Sequence, residues 1–237
     1  MDVAVISGDI IASTSLSNKG KEFVEHRLEQ MLTDFSKHFD AYGRIVKGDY
    51  IECVVTDASL ALRVALAIKC FVKSVPTEVE HFRESDRRRK LFKDYGIRVA
   101  IGHGTLDRYE PLRGVADGEA IYQAGRTLSH EGTYNKERVV VKNTLFFASN
   151  DASLNQNFEP LLSLIDVLLL KATAKQCQVV YHKLLGKTEV EIAKLLSVAQ
   201  SAVNQHSTSI GWNALDRAVG FYERTIRSKA NKGYGYK

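Results

Sequence analysis

The sequence predicts an α+β protein: an N-terminal antiparallel sheet with helices, followed by an all-helical C-terminal part. Two observations support this fold class. Segments with the period-two apolar pattern of strands alternate with segments of helical period as far as about residue 145, and two short strand-like segments are adjacent. From about residue 158 onward only the helical period remains. Antiparallel strands combined with packed helices are typical of α+β folds.

The first half of the sheet part contains four clear elements. Residues 3–8 alternate as a buried strand, and residues 18–40 carry apolar side chains at helical spacing. Residues 42–55 form two short apolar runs joined by Lys47-Gly48-Asp49, which predicts a hairpin. Residues 58–75 are apolar around most of a helical circumference, so we expect a buried helix there.

The second half is less regular. Residues 76–95 are dense in charge and are interpreted as a solvated loop or frayed helix, with phosphate binding by Arg87-Arg88-Arg89 as one alternative. A strand follows at 97–106, a helix begins near 117, and 138–142 is expected to be the last strand. This order predicts helices packed on one face of an antiparallel sheet.

The polar, turn-rich stretch 148–157 is the expected boundary between a sheet domain (1–150) and a helical domain (158–230). After it the chain is helical, with 228–237 expected as a flexible basic tail. The formal net charge is +5, yet residues 171–237 hold 11 Lys and Arg against four Asp and Glu. This asymmetry favours contact with a polyanion, and a solvated basic surface is the alternative.

Composition also bears on location. No window of the chain reaches the roughly 18 apolar residues that a membrane span requires. Cys53, Cys70 and Cys177 are scattered and odd in number, so they fit neither a metal-binding spacing nor a disulfide framework. We therefore expect a cytoplasmic protein that makes no membrane contact.

The clearest local motif lies within residues 184–206. Thr188 and Glu191 form a capping box, and Ile192 starts the apolar face of a short helix. A tight turn at 197–199 leads to a second helix that begins near Gln200. This spacing is typical of a helix-turn-helix, whose second helix enters the major groove of DNA.

Outward-facing polar side chains at the start of that second helix are the expected base contacts. They are Gln200, Ser201, Asn204 and Gln205. Amides and hydroxyls can hydrogen-bond to base edges, and nearby basic side chains can contact phosphates. The expected phosphate contacts are Lys187 and Lys194, with Arg217, Arg224 and Arg227 further along the chain. The alternative is a helical packing module that contacts only protein.

Two acidic residues suggest a metal site in the sheet part. Asp9 ends the first strand and Asp49 lies at the hairpin tip, so an antiparallel sheet brings them together. A divalent cation removes the repulsion between adjacent carboxylates. Ser13 and Thr14 are expected to open the first helix, whose backbone N–H groups could receive a phosphate. The alternative is structural: Asp9 caps the helix and Asp49 serves the turn.

Several segments in order resemble the class III nucleotidyl cyclases: "DIIAST", "KGDYIECVV", "ALRVALAIK", "IRVAIGHG" and "GEAIYQAGR". The resemblance covers about residues 1–145. It implies that Asp9, Ile10 and Asp49 form a metal site in which the two aspartates hold two Mg²⁺ ions, or Mn²⁺ in their place. It also implies that Arg126 is a catalytic residue that stabilises charge on the phosphate. In that family the 3′-hydroxyl of a nucleoside triphosphate attacks its own α-phosphate at a site between two subunits. The resemblance therefore also implies a homodimer.

Three positions depart from the cyclase pattern. Tyr122 stands where the family has Asn, and Ile45 and Val115 replace the purine-selecting Lys and Asp. Metal- and phosphate-binding groups are thus kept, while purine recognition is lost. The expected nucleotide-binding residues are Ser13, Thr14, Lys47 and Tyr122.

The chain as a whole also resembles the bacterial SatD-like proteins, which share the opening "ISGDII" and a helix-turn-helix end. We expect a DNA-binding regulator whose cyclase-like domain senses a nucleotide or a metal ion. Its dimer would present two recognition helices to a palindromic site. The alternatives are an active nucleotidyl cyclase of non-purine or unusual specificity, and a scaffold protein with an inactive site.

Overall fold

The computed structural model describes residues 2–83, 88–130, 134–135, 138–139 and 143–233. Its N-terminal part folds in the order strand, helix, strand, strand, helix, strand, which is the split βαβ arrangement of ferredoxin-like domains. The elements are β1 (Val3–Ile10), α1 (Asn18–Phe39), β2 (Ala41–Lys47), β3 (Tyr50–Val55), α2 (Ala61–Ser74) and β4 (Ile97–Gly104). These bounds confirm the predicted first strand, long helix, hairpin and buried helix.

The connections between these elements carry short additional structure. The charged stretch before β4 contains a helix, α3 (Arg89–Tyr95), while Arg87 lies outside the described residues. After β4 come β5 (Arg108–Glu110) and β6 (Val115–Asp117), which pair with each other. The predicted helix near residue 117 is confirmed as α4 (Glu119–His130).

Among the described residues, the main sheet has five strands in the order β2, β3, β1, β4 and β9 (Leu145–Ser149). The first four strands are antiparallel to their neighbours, whereas β9 runs parallel to β4, so the sheet is mixed. The expectation that 138–142 is the last strand is wrong. Strand β8 (Arg138–Val139) pairs with β7 (Tyr134–Asn135) outside this sheet, and residues 140–142 are not described.

Helices cover both faces of the sheet, which corrects the expectation of helices on one face. Ala4 and Ile6 of β1 belong to the core beneath α1 and α2, whereas Val5 packs with Val54 and Ala124 beneath α4. Successive residues of a strand point to opposite faces, so a strand that is buried along most of its length needs cover on both. β1 is that strand, because β3 and β4 flank it and five consecutive residues of it are buried.

Five helices follow β9 and confirm that the C-terminal part is helical. They are α5 (Ala152–Lys171), α6 (Ala174–Leu184), α7 (Glu189–Leu196), α8 (Gln200–Ser209) and α9 (Trp212–Gly233). Because Asp151 caps α5, the second half of the turn-rich stretch 148–157 is helical. The expected flexible tail is helical as far as Gly233, and residues 234–237 lie outside the description.

The C-terminal helices share a core with the sheet part. Phe158 of α5, Tyr181 of α6 and Tyr222 of α9 belong to the same buried cluster as Leu62 of α2 and Ile101 of β4. The rings of Phe158 and Tyr222 lie 4.5 Å apart, and those of Phe71 and Tyr181 lie 5.1 Å apart. The division into two domains stays a prediction, but the helical part rests directly on α2 and β9.

A buried ion pair also joins the two parts. The Lys69 ammonium on α2 lies 3.2 Å from an Asp166 carboxylate oxygen on α5, and it donates to the backbone carbonyls of Ile97 and Thr144. Asp166 accepts the Thr144 hydroxyl at 2.6 Å. Burial lowers the pKa of Lys69, while Asp166 opposes that shift. The pair thereby fixes where the chain enters β9.

The structure bears on two predictions from composition, the absence of a membrane span and the state of the cysteines. Within the described ranges, no helix has both the length and the apolar character needed to cross a membrane. Cys53, Cys70 and Cys177 are free and buried. Burial raises the pKa of the Cys53 thiol to about 12, so this thiol stays protonated at neutral pH.

The contact between α4 and β4 depends on a glycine. Gly102 of β4 lies so close to α4 that a β-carbon there would overlap the Ala120 carbonyl oxygen and the Ala124 backbone nitrogen. Both neighbours are helix backbone and cannot rotate away. Gly125, on α4 itself, has open space around the same position.

We expect Gly102→Ala to lower the free energy of unfolding by about 1–3 kcal/mol, because α4 must move away from the sheet. The matched change Gly125→Ala should raise it by about 0.5–1 kcal/mol, because alanine is the better helix residue. Urea denaturation followed by circular dichroism measures both. Equal effects of the two substitutions would show that α4 does not pack this closely.

Candidate functional site

A charged cavity of ≈ 190 Å³ lies where β1 ends. Its walls are the loop after β1, the β2–β3 turn, α3 and the start of β4. The lining residues are Asp9, Ile10, Ile11, Ala12, Ser13, Thr14, Asp49, Arg88, Leu91 and Arg98. A second cavity of ≈ 160 Å³ adjoins it, shares Ile10, Ser13, Thr14 and Asp49, and extends to Lys21 on α1.

The sheet brings Asp9 and Asp49 into this one cavity. β1 and β3 are antiparallel neighbours, with Asp9 opposite Tyr50, and the Ile10 backbone N–H donates to the Asp49 carbonyl at 2.9 Å. The Ser13 hydroxyl donates to an Asp49 carboxylate oxygen at 2.6 Å. Burial, together with the nearby carboxylates of Glu52 and Asp9, raises the pKa of the Tyr50 hydroxyl. The loop after β1 and the hairpin tip are therefore tied together.

The loop after β1 does not open α1, which corrects one expectation. Ser13–Ser15 is a single 3₁₀ turn, and α1 begins at Asn18 with Ser17 as its capping residue. The break follows from Ala12, which has φ +57 in the left-handed region. A non-glycine residue there costs about 1–2 kcal/mol, and such strain is often found at functional sites. Ser13 and Thr14 therefore offer hydroxyls to the cavity rather than the N-terminus of a long helix.

Two arginines complete the cavity: Arg98, which sequence reasoning did not single out, and Arg88, which it named with Arg87 and Arg89 as an alternative phosphate contact. The Arg98 guanidinium lies 2.5 Å from an Asp9 carboxylate oxygen, because β4 pairs with β1 and places Arg98 opposite Asp9. Arg88, just before α3, donates to the Thr14 hydroxyl at 2.9 Å. Two carboxylates thus face two guanidiniums. For Arg98, the sequence offered one indication of this role: the residue lies in a strand that is predicted to run beside the first strand.

The donor set fits one divalent cation better than two. Mg²⁺ in proteins is commonly held by one or two carboxylates, with water and ligand phosphates completing an octahedron. Asp9, Asp49 and the backbone of Ile10 can supply such a set. Asp9 is already balanced by Arg98, and the described residues contain no group of three or more His, Cys, Asp or Glu side chains able to hold a metal.

Three other expected site residues lie elsewhere. Arg126 and Tyr122 are exposed on α4, where the Arg126 guanidinium lies 5.8 Å from the centre of the Tyr122 ring. A hydrogen bond with Asp117 raises the pKa of the Tyr122 hydroxyl. Lys47 is exposed at the end of β2. None of these three belongs to the described lining of the two cavities. Arg126 and Tyr122 lie on a separate element, whereas Lys47 is two residues from Asp49 and pairs with Tyr50 in the hairpin.

The predicted corner of two short helices is present in the C-terminal part. The Thr188 hydroxyl accepts from the Glu191 backbone N–H while the Glu191 carboxylate accepts from the Thr188 backbone N–H, which is the expected capping box. α7 ends at Leu196 with Ser197 as its C-terminal cap, and α8 begins at Gln200. Ile192 and Val203 are fully buried against Val179 of α6. The corner is therefore held by apolar contacts among three helices.

The expected DNA-binding side chains lie on the outside of this corner. Gln200, Ser201, Asn204, Gln205 and Lys194 are exposed, and Lys187 is half-buried. The Asn204 amide donates to Glu189 at 3.4 Å, and the Lys183 ammonium beside Glu189 lowers the pKa of that carboxyl. Arg227, by contrast, faces the sheet part: it donates to the Ser59 hydroxyl at 3.1 Å and lies 3.8 Å from Asp57.

Fold and site together define an α+β protein with a charged cavity at the end of its central strand and a corner of two short helices in its C-terminal part. No known protein family matches the chain, and no curated protein does. Among solved structures, the chain is similar to a bacterial light-regulated adenylyl cyclase, with 15% sequence identity and a TM-score of 0.38. The similarity covers 61% of this chain and 74% of that chain. Values this low carry no conclusion about activity.

The turn between α7 and α8 yields a stability prediction. Ser197 has φ +53, a left-handed conformation that glycine adopts without cost. We expect Ser197→Gly to raise the free energy of unfolding by up to about 1 kcal/mol. Ser201→Gly, in the first turn of α8, should lower it by about 0.5–1 kcal/mol. Thermal unfolding compares the two, and a loss of stability in both variants would contradict the turn geometry.

Proposed function

We propose that this protein is a DNA-binding regulator that senses a phosphorylated ligand, together with a divalent cation, in the cavity beside Asp9 and Asp49. The first half of α8 would contact DNA, and the cyclase-like sheet part would hold the ligand. The observation that carries the proposal is the row of exposed amides and hydroxyls on α8, fixed by buried contacts with α6 and α7. The resemblance to SatD-like proteins supports the same architecture.

The arrangement of α8 suits base recognition. Val203 and Ser207 point inward, so positions 201, 204 and 205 lie on the outer side of the helix, and Gln200 is exposed as its first residue. Side-chain amides bind adenine edges through paired hydrogen bonds, and hydroxyls bind several base edges. Each of these side chains is exposed, which supports an external partner over a module that only packs on its own chain.

Charge around the corner supports contact with a nucleic acid. Lys187 and Lys194 lie on either side of the capping box, where they can reach phosphates flanking a bound helix. The Lys183–Glu189 ion pair, at 2.9 Å, offsets a carboxylate that would otherwise repel the backbone. On DNA, the Asn204 amide would exchange its 3.4 Å contact with Glu189 for a base edge.

The DNA-binding part of the proposal is tested on a duplex selected from a random pool with the purified protein. The double change Asn204→Ala and Gln205→Ala should weaken binding by at least about tenfold, because each lost paired contact costs about 1–3 kcal/mol. Fluorescence anisotropy measures the dissociation constant.

The matched control is Asn213→Ala, an exposed asparagine of α9 outside the corner. It should leave affinity unchanged. Replacing both Lys187 and Lys194 with Ala should weaken binding to every sequence and flatten the salt dependence, because phosphate contacts are lost. Equal affinity in the double α8 variant and in Asn213→Ala would overturn the assignment of α8.

The cavity beside β1 has the groups that a phosphorylated ligand needs. Arg88 and Arg98 provide guanidiniums, which recognise phosphate oxygens in pairs, and Ser13 and Thr14 provide hydroxyls. Asp9 and Asp49 would bind a Mg²⁺ ion that the ligand phosphates also coordinate. Because the ion pair with Arg98 already neutralises part of the charge on Asp9, the two carboxylates suit one bound cation better than two. A site with one cation supports ligand sensing over transfer chemistry that uses two metal ions.

A homodimer fits the remaining expected site residues. Arg126 and Tyr122 lie on α4, away from the cavity of their own chain. In a symmetric dimer the α4 of one copy could approach the cavity of the other. Two copies would also present two α8 helices, which is the arrangement that palindromic DNA sites require.

The sensing part is tested with inorganic pyrophosphate and with each of the four nucleoside triphosphates, with and without Mg²⁺. A ligand that binds the folded state at 100 times its dissociation constant stabilises it by about 2.7 kcal/mol, which raises the melting temperature. We expect such a rise to depend on Mg²⁺ in the native chain, and Asp49→Asn to remove the Mg²⁺-dependent part.

Asp216→Asn, an exposed aspartate of α9, is the control and should behave as the native chain does. No rise with pyrophosphate or any nucleotide would contradict ligand sensing. A cyclic nucleotide detected by mass spectrometry, and lost in Asp49→Asn, would contradict sensing without turnover and would identify the protein as an active cyclase.

A further inference from the structure

A third, larger cavity lies between the sheet part and the C-terminal helices, on the other side of α3 from Leu91 of the charged cavity's lining. Its volume is ≈ 450 Å³. Three segments enclose it: the end of α2 with the loop that follows, α3, and the turn from α5 to α6. We propose that this cavity binds a small organic anion, a carboxylate with an apolar body.

The cavity wall contains apolar side chains that could contact the apolar part of such a ligand. The apolar residues around the cavity are Val72, Val75, Pro76, Phe92, Leu170, Ala172 and Ala174. They come from all three segments, so an apolar body would contact each of them. Cavities of roughly 300–1,000 Å³ that combine apolar walls with placed polar groups are typical of small-molecule sites, and here polar and apolar groups contribute equally to the wall.

The charges around the cavity favour an anion. Among the described lining residues, Lys73, Lys93 and Lys171 stand beside one carboxylate, that of Asp94. Lys73 is held in place because its ammonium donates to the carbonyls of Leu169 and Leu170, at 2.7 and 2.8 Å, at the end of α5. Burial lowers the pKa of Lys73, and an incoming carboxylate would offset that cost.

Two further polar features point into the same space. Thr77 is 8% exposed and lines the cavity, and its hydroxyl makes no hydrogen bond with any other residue that the structure describes. α6 begins at the cavity, where Thr173 caps it and Ala174 is its first residue. The N-terminal end of a helix carries partial positive charge and favours a carboxylate. The Thr77 hydroxyl and the start of α6 together offer positions where a ligand oxygen would be bound.

The location gives binding a consequence for the whole chain. The ligand would contact α2 and α3 of the sheet part and the α5–α6 turn of the helical part at once. α6 also packs against α7 and α8. A ligand bound in the cavity would therefore stabilise the position of α6 and, through it, the position of the helical corner. This site does not depend on the phosphate-sensing proposal, since the described linings of the two cavities have no residue in common.

The probe for the test is octanoate, a carboxylate with an eight-carbon body. Acetate carries the same charge without the body, and octylammonium carries the same body with the opposite charge. We expect octanoate to raise the melting temperature of the full chain and to give saturable binding by calorimetry. The other two compounds should do neither. Stabilisation by octylammonium equal to that by octanoate would overturn the proposal.

Two variants locate the binding. Lys171→Glu reverses an exposed charge in the lining and should weaken octanoate binding by about tenfold, which corresponds to about 1.4 kcal/mol. Lys175→Glu, on the exposed surface of α6 but outside the described lining, is the matched control and should bind normally. Ala174→Phe should fill the space and abolish binding. Equal weakening by Lys171→Glu and Lys175→Glu would also overturn the proposal, because only general surface charge would then matter.

Discussion

The ion pair between Lys69 and Asp166 is the interaction on which the rest of the structure depends. It lies inside the protein, so its cost of desolvation is recovered only while both partners and their hydrogen bonds are present. Lys69 also holds the Ile97 carbonyl at the start of β4 and the Thr144 carbonyl just before β9. One buried ammonium thus sets the pairing of β9 with β4 and the position of α5, on which the later helices pack.

The charged cavity depends on the same sheet through its register. Asp9 meets Arg98 only because β1 and β4 pair with these residues opposite each other, and it nears Asp49 only because β3 lies on the other side. A shift of one residue in either ladder would turn the Asp9 side chain to the other face. The buried apolar side chains of β1 therefore set the positions of the charged groups in the cavity. Loop residues such as Ser13 take positions that follow from this register.

Local patterns were enough to predict much of this. The alternation in residues 3–8, the hairpin around Gly48 and the capping box at Thr188 each depend on neighbours in sequence, and the structure contains all three. The features that the sequence did not predict depend on contacts between residues far apart in the chain. β9 is a short apolar run with no alternation to mark it, and its place is set by β4. The role of Arg98 required the strand register, and the contact of Arg227 with Asp57 spans most of the chain.

The ion pairs of the C-terminal helices alter what an approaching polyanion would encounter. Lys229 lies 2.6 Å from Asp151, Arg227 lies near Asp57, and Arg63 of α2 holds Glu223 at 2.9 Å. Arg227 and Lys229 stay exposed, but each is paired with a carboxylate from outside residues 171–237. These carboxylates offset part of the positive charge that a count over residues 171–237 alone assigns to the end of α9. A polyanion would therefore meet less net positive charge there than that count implies.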